Sequence, residues 1–167
     1  VGLCPGDMLD GVYRFSVWEQ SHRGFYEQAA LMAETFPRHA GMVWYTILGN
    51  HDETFERDSG VNVAQALEDT FKRAGREDLR VLGARGAYLR LVAPGDRRGL
   101  MVELWHPKKG PAYSVSYHLQ KHVEGYAPGA KPDAVFAGHW HQQCYTVARG
   151  VHAMSCGTFQ GGGSSYG

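Results

Sequence analysis

Four short segments of the chain place side chains that bind metals next to a glycine or a proline. They are residues 6–10, 49–52, 105–107 and 138–141. Their donor atoms are carboxylate and amide oxygens and imidazole nitrogens, which together suit divalent cations such as Mn²⁺, Fe²⁺, Zn²⁺ and Mg²⁺. Because such cations polarise a bound substrate and activate water, the pattern predicts a metal site capable of metal-assisted hydrolysis.

The first two segments offer oxygen ligands. Asp7 follows an apolar run and a glycine, where its two carboxylate oxygens could each bind a metal, although for this segment taken alone an ordinary turn is the favoured explanation. Asn50 carries a neutral amide oxygen, which is a hard ligand. The adjacent His51 is suited to donating a proton to a leaving oxygen. A plain turn is the alternative here too, but three chemically capable residues in a row are less common in one.

The last two segments offer imidazoles. His139 and His141 are two positions apart, so in an extended loop they can point to different metals, whereas the alternative is a surface loop with two incidental histidines. His106 alone says little, because a single histidine beside a tryptophan is usually structural. It gains weight from the other three segments.

These side chains need strands to bring them together. Strands are predicted over 1–4, 42–48, 100–104 and 134–137, and a candidate ligand follows each of them. Ligands of open α/β sheets gather at the carboxyl ends of strands, so four segments spread over more than a hundred residues can converge on one site.

The remaining pattern completes an α/β fold. Apolar spacing predicts helices over 24–36, 61–74 and 113–123, strands over 80–82 and 87–92, and a hairpin of 143–147 with 151–154. Alternating strands and helices followed by strands with short turns predict an α/β sandwich on a mixed sheet. We expect one domain over 1–167, cut at both ends, with 161–167 as a flexible polar segment.

The order of these segments resembles the calcineurin-like metallophosphoesterase superfamily. Gly-Asp-x-x-Asp, Gly-Asn-His-Asp, a lone His after a strand and Gly-His-x-His occur in that family's order over almost the whole chain. The resemblance implies a layered sandwich of mixed sheets flanked by helices. It also implies two divalent metals that activate a water and clamp the phosphate. Mn²⁺ is the first expectation, with Fe, Zn or Mg as alternatives.

The resemblance also implies a role for each candidate ligand. Asp7 would bridge the two metals. Asn50, His106 and His139 would hold the second metal together with Asp7, and His141 would hold the first.

Two further residues have implied catalytic roles. His51 would stabilise or protonate the leaving alkoxide, and Asp10 would orient His51. The family's opening Asp-x-His motif, which supplies two ligands of the first metal, does not occur in this sequence, and its usual place is a strand upstream of Val1. We therefore expect one well-formed metal site and one weak one.

Composition sets broad limits on function. Hydrophobic residues make up 43% of the chain and charged residues 20%, as in ordinary globular proteins. Lys+Arg and Asp+Glu balance at 17 each, so the chain is not strongly basic overall. No apolar run is long enough to span a membrane, and the chain does not open on a secretory leader. Three irregularly spaced cysteines fit a reducing cytoplasm.

The substrate is less clearly marked. Lys108 and Lys109 lead from His106 into the predicted helix at 113, which would suit a phosphate backbone, although a solvated loop is an equal alternative. Residues 112–126 and 157–160 look similar to phage and prokaryotic members near the DNA-repair exonucleases. A nucleic-acid phosphodiester such as DNA is the first expectation. A small phosphodiester or phosphomonoester is the second, and a non-catalytic binding module or subunit is a third. Substrate-binding residues and protein partners are not identified.

Overall fold

The computed structural model describes residues 1–13, 18 and 20–159, so the predicted flexible segment at 161–167 lies outside the described residues. Strands and helices follow one another in the order β1 Gly2–Cys4, α1 Phe25–Thr35, β2 Trp44–Leu48, α2 Glu53–Ser59, α3 Val63–Arg73, β3 Leu79–Ala84, β4 Gly86–Leu91, β5 Leu100–Trp105, α4 Tyr117–Glu124, β6 Ala134–Ala137, β7 Cys144–Ala148 and β8 Val151–Ser155.

The strands form two sheets. One is parallel and three-stranded, in the order β1-β2-β3. The other is mixed and five-stranded, in the order β4-β5-β6-β8-β7, with antiparallel pairs β4–β5 and β7–β8 around a parallel centre. The two sheets and their flanking helices confirm the predicted layered α/β architecture.

Each sheet has a helical layer on one side. On the three-stranded sheet, α1 and α3 bury Ala29, Leu67 and Phe71 in one apolar cluster. On the five-stranded sheet, α4 buries Leu119 and Val123 in a second cluster. Burial of these side chains holds the four layers in a fixed order, at roughly 1.5–3 kcal/mol for each large aliphatic or aromatic residue.

The carboxyl ends of β1, β2, β5 and β6 meet at one edge of the two sheets. Pro5, just after β1, bonds through its carbonyl to the His106 ring just after β5. Gly138, just after β6, donates its backbone N–H to the carbonyl of Trp105 at the end of β5. The sequence analysis predicted that the segments with candidate ligands converge at the carboxyl ends of strands, and the structure confirms this.

The structure differs from the prediction in three places. Helix α2 was not predicted, because its seven residues carry one large apolar side chain, Phe55, and show no helical period. Helix α4 begins at Tyr117 and not at 113, since Ser114 and Ser116 favour turn and cap geometry over a helix interior. The predicted helix start beside Lys108 and Lys109 is therefore wrong.

The third difference is in the strands predicted over 80–82 and 87–92: β3 extends to Ala84 and β4 begins at Gly86, so that one residue, Arg85, separates them, and they belong to different sheets. Across the described ranges, no helix is long and apolar enough to cross a membrane.

Candidate metal centre

Four predicted ligands meet at the strand ends. One ligand atom from each of Asp7, His106 and His139 lies within 4.8 Å of the others. The amide oxygen Oδ1 of Asn50 lies 2.9 Å from Nε2 of His106 and 2.7 Å from Nδ1 of His139. Two oxygens and two nitrogens, from four segments far apart in sequence, therefore surround one small volume.

The protonation of His106 explains why these atoms need a cation. Nδ1 of His106 lies 2.8 Å from the carbonyl oxygen of Pro5, and a carbonyl only accepts, so Nδ1 carries the proton. In the neutral ring, Nε2 then presents a lone pair to the oxygens of Asn50 and Asp7. Acceptors that face one another repel unless a proton or a metal lies between them.

Asp7 supplies the second indication. Its Oδ2 is buried and has no hydrogen-bond partner among the described residues, and it lies 3.2 Å from the lone-pair nitrogen of His106. Its other oxygen, Oδ1, accepts from the backbone N–H of His51 at 2.9 Å. Burial by itself raises the pKa of Asp7, whereas His106, when its ring carries a second proton, and His51 lower it below its usual value. With His106 neutral, a cation between Oδ2 and Nε2 is the alternative to that proton, so the buried Oδ2 fits a metal ligand.

Glycines allow this close packing around His106. A Cβ on Gly49 would lie 2.6 Å from Cε1 of His106, and one on Gly6 would lie 2.7 Å from Nδ1. A Cβ on Gly138 would meet the carbonyl of Pro5 and lie 3.0 Å from the same ring nitrogen. Glycine is thus needed at Gly6 because of the His106 ring, at Gly49 because a Cβ there would also meet Oδ1 of Asp7, and at Gly138 because of the Pro5 carbonyl.

Asp52 holds the loops of Asp7 and Asn50 together. Its side chain is fully buried, and it accepts backbone N–H groups of Asp7 at 2.9 Å, Leu9 at 2.9 Å and Gly49 at 2.8 Å. Burial raises the pKa of Asp52 to about 6, and the negative charge of Asp7 adds to the rise. The sequence analysis gave Asp52 no role, although its place after Asn50 and His51 was the available signal.

His51 is held differently from the prediction. Its Nδ1 donates to the backbone carbonyl of Asp10 at 2.7 Å, whereas the Asp10 carboxylate accepts from the amide of Gln20 at 2.9 Å. The orientation expected from the carboxylate therefore comes from the main chain, because the 7–11 loop turns its carbonyl toward the ring. With Nδ1 protonated, Nε2 is the nitrogen whose protonation changes during proton transfer.

The two histidines of the last segment have different surroundings. Burial lowers the pKa of His139 to about 4, and the positive charge of Arg85 adds to the decrease. His139 is therefore neutral, as a ligand must be, at neutral pH. His141 is half-buried, and burial and His51 lower its pKa, but it lies outside the cluster of Asp7, His106 and His139. Its assignment to a further metal stays a prediction.

This arrangement agrees with the comparison to known families. The sequence model of the calcineurin-like phosphoesterases matches residues 3–143, from β1 past the last histidine of the cluster. The chain belongs to the calcineurin-like phosphoesterase family. A search of curated proteins found no match.

Membership of the calcineurin-like phosphoesterases identifies the chemistry in general terms, as metal-dependent hydrolysis of phosphate esters. The residues present fit a metal, since the unpaired Oδ2 of Asp7 and the lone pair of His106 face the same volume. Asp7, Asn50, His106 and His139 would hold it. The described part of the chain holds this one candidate group, and the expected weaker second site stays a prediction.

The phosphoesterase site also concentrates backbone strain. Asp7, Arg85, His139 and His141 have positive φ angles of 54°, 66°, 79° and 56°. Arg149, in the turn between β7 and β8, is the other non-glycine residue of this kind in the described ranges. Such conformations cost roughly 1–3 kcal/mol each and cluster where function fixes the backbone.

Aromatic rings pack against the loops that carry His106 and His139. The Trp105 ring, next to His106, stacks on His122 of α4 with ring centroids 3.7 Å apart. Trp140, between His139 and His141, packs edge-on against Trp105 and donates Nε1–H to the carbonyl of Lys109 at 2.8 Å. His122 also contacts the buried carboxylate of Glu103 at 3.0 Å. The sequence analysis missed His122 and Glu103, because a histidine inside a weakly periodic helix gives no such signal.

Proposed function

We propose that this phosphoesterase hydrolyses a phosphodiester and that nucleic acid is its substrate class. The observation that carries the catalytic part is the cluster of four ligand residues that includes Asp7, whose buried Oδ2 has no hydrogen-bond partner among the described residues. A structural role for that oxygen would require a hydrogen-bond donor, and His106 offers a lone pair instead.

In this proposal, four side chains would hold a cation and a fifth would donate a proton. A bound cation would supply Lewis-acid polarisation of the phosphate and lower the pKa of a water. Asp7, Asn50, His106 and His139 would hold that cation. His51, buried and held by the Asp10 carbonyl, is the proton donor for the leaving oxygen through Nε2.

The loop that follows His106 supports a nucleic-acid substrate. Lys108 and Lys109 are exposed, and the carbonyl of Lys109 accepts from the indole of Trp140, so the loop lies against the histidine loop. Tyr113 is fully exposed nearby in sequence, and an exposed ring can stack on a base. Two cations and an aromatic ring beside a phosphate site suit a polyanionic chain with bases.

Manganese as the metal and the cytoplasm as the location are part of the same proposal. The donor set mixes two oxygens with two nitrogens, which suits Mn²⁺. Cys4, Cys144 and Cys156 are all free thiols, which fits a reducing compartment.

The test has two stages. Isothermal titration with Mn²⁺ measures metal binding, and Asp7→Asn is expected to abolish it. Hydrolysis is then measured with bis(4-nitrophenyl) phosphate, 4-nitrophenyl phosphate and end-labelled single-stranded DNA. We expect cleavage of the diester and of DNA, with the monoester a poor substrate.

Matched variants separate the substrate classes. Lys108→Ala with Lys109→Ala should weaken DNA cleavage and leave the small diester unaffected, because only the polymer reaches the loop. Lys131→Ala, in an exposed loop before β6, is the control. Monoester hydrolysis without DNA cleavage would favour a small-molecule phosphoesterase. Mn²⁺ binding without hydrolysis of any of the three would favour the binding module.

A further inference from the structure

Arg85 occupies an unusual place beside the metal centre. It is the one residue between β3 and β4, where the chain passes from the three-stranded to the five-stranded sheet. Its N–H donates to the carbonyl of Leu48 at 2.9 Å, and its carbonyl accepts from the N–H of His106 at 2.8 Å. Arg85 is therefore hydrogen-bonded to both strand ends that lead into Asn50 and His106.

The backbone at this corner does not favour an arginine. Arg85 has φ 66°, in the left-handed region where glycine has no steric penalty, and Gly83 and Gly86 are close by in sequence. Among the described residues, Arg149 is the other arginine with a positive φ angle, and it lies in a hairpin turn with Gly150. A side chain kept in a position that glycine would occupy more easily indicates a use for that side chain.

The guanidinium group of Arg85 is held by an acidic partner on α2. Nε of Arg85 donates to Oε1 of Glu53 at 2.7 Å, and Nη2 donates to the other carboxylate oxygen. Glu53 is the first residue of α2, directly after Asp52, and both side chains of the pair are about one-quarter exposed (24% and 28%). This pairing uses two of the five N–H donors of the guanidinium.

The positive charge of Arg85 repels a bound cation, so by itself it disfavours metal binding at this site. Arg85 adjoins the cluster directly, because its carbonyl accepts the backbone N–H of His106, a member of the cluster. The arrangement becomes favourable when an anion joins the site, because a phosphate oxygen can then bind the metal and the arginine together.

We propose that Arg85 is a substrate-binding residue that donates to a non-bridging phosphate oxygen, while Glu53 fixes the direction of its guanidinium. This inference rests on the proposed phosphoesterase function and adds a residue to it. It predicts effects of opposite sign on metal and on phosphate, since the charge of Arg85 repels one and attracts the other.

The experiment measures two affinities by isothermal titration: Mn²⁺ to the metal-free protein, and inorganic phosphate to the Mn²⁺-loaded protein. Arg85→Gly relieves the left-handed backbone and removes the charge. We expect phosphate binding to weaken about tenfold or more, as for loss of a charge-assisted hydrogen bond, with Mn²⁺ binding unchanged or tighter. Arg85→Lys keeps a point charge but loses the planar fork, so an intermediate loss of phosphate affinity is expected.

Arg149→Gly is the matched control, because it makes the same substitution in the same backbone conformation in the β7–β8 hairpin turn. Both of its affinities should equal those of the wild type.

Several results would overturn the inference. One is an Arg85→Gly protein that binds phosphate as well as the wild type. Another is a parallel loss of Mn²⁺ and phosphate affinity in a folded variant, which would give Arg85 a purely structural role. If Arg85→Gly does not fold, the same two readouts apply to Arg85→Lys. A wild-type protein that binds no Mn²⁺ would instead refute the proposed function, so the two failures are distinguishable.

Discussion

The two halves of the metal centre are held by different forces. Asp7 and Asn50 follow strands of the three-stranded sheet, and their loops are joined by three backbone hydrogen bonds to the buried carboxylate of Asp52. His106 and His139 follow strands of the five-stranded sheet, and their loops rest on stacked aromatic rings next to α4.

The difference shows how rigidity is divided within the site. Hydrogen bonds to one carboxylate are directional and leave few alternatives for the loops that supply oxygen ligands. Ring stacking is broad and tolerates small displacements of the loops that supply imidazoles. We therefore expect Mn²⁺ affinity to fall sharply when the support of the oxygen half is removed. Loss of the support of the histidine half should lower it only modestly.

The largest effect should come from removing one ligand from each half. Asn50→Ala and His139→Ala should each weaken Mn²⁺ binding by more than about 100-fold, beyond the 10–100-fold typical of residues that support ligands. Isothermal titration measures this. His141→Ala should weaken binding at this site less than these two variants do, because His141 lies outside the cluster. A large loss in His141→Ala would place it in the same metal site.

Asp52→Ala should have the next largest effect. It leaves three buried N–H groups without an acceptor, so the free energy of unfolding should fall by about 3 kcal/mol or more in urea denaturation. Mn²⁺ affinity should fall about 10–100-fold with it. Asp96→Ala, which removes a carboxylate that accepts two N–H groups in an exposed turn, should cost about 1 kcal/mol or less. Equal losses in the two variants would contradict this account of Asp52.

A smaller effect is expected from the aromatic support. His122→Ala removes the ring stacked on Trp105 and should lower the free energy of unfolding by about 1 kcal/mol, with a modest loss of Mn²⁺ affinity. His122→Phe keeps a ring at that position and should restore Mn²⁺ binding. If His122→Ala abolished Mn²⁺ binding as completely as loss of a ligand does, the histidine half would be no more tolerant than the oxygen half.

The smallest effect should follow Asp10→Asn. The bond that orients His51 comes from the Asp10 carbonyl, which the substitution keeps, so hydrolysis of the chromogenic diester should change little. His51→Ala is the comparison and should lose about 10²–10⁴-fold in kcat. A comparable loss of kcat in Asp10→Asn would show that the Asp10 carboxylate, and not its carbonyl, orients His51.

Much of the fold was readable because its elements carry strong local patterns. The predicted strand at 134–137 matches β6, and the helix predicted over 61–74 contains α3 at Val63–Arg73, whose buried positions recur at helical spacing. Helix α2 was missed because seven residues with one large apolar side chain have no period to detect. Its position is set by its neighbours, since Phe55 packs on Phe25 of α1.

By itself, the sequence determined which residues could bind a metal and that they follow strands, because donor chemistry and apolar runs are local properties. Only the tertiary structure decided which donors share a volume: Asp7, Asn50, His106 and His139 do, with Asp52, His122 and Arg85 around them. The physical reason is that a hydrogen bond or a stack joins residues by distance in space. The bond from His106 to Pro5 spans 101 positions, and no spacing in the sequence encodes it.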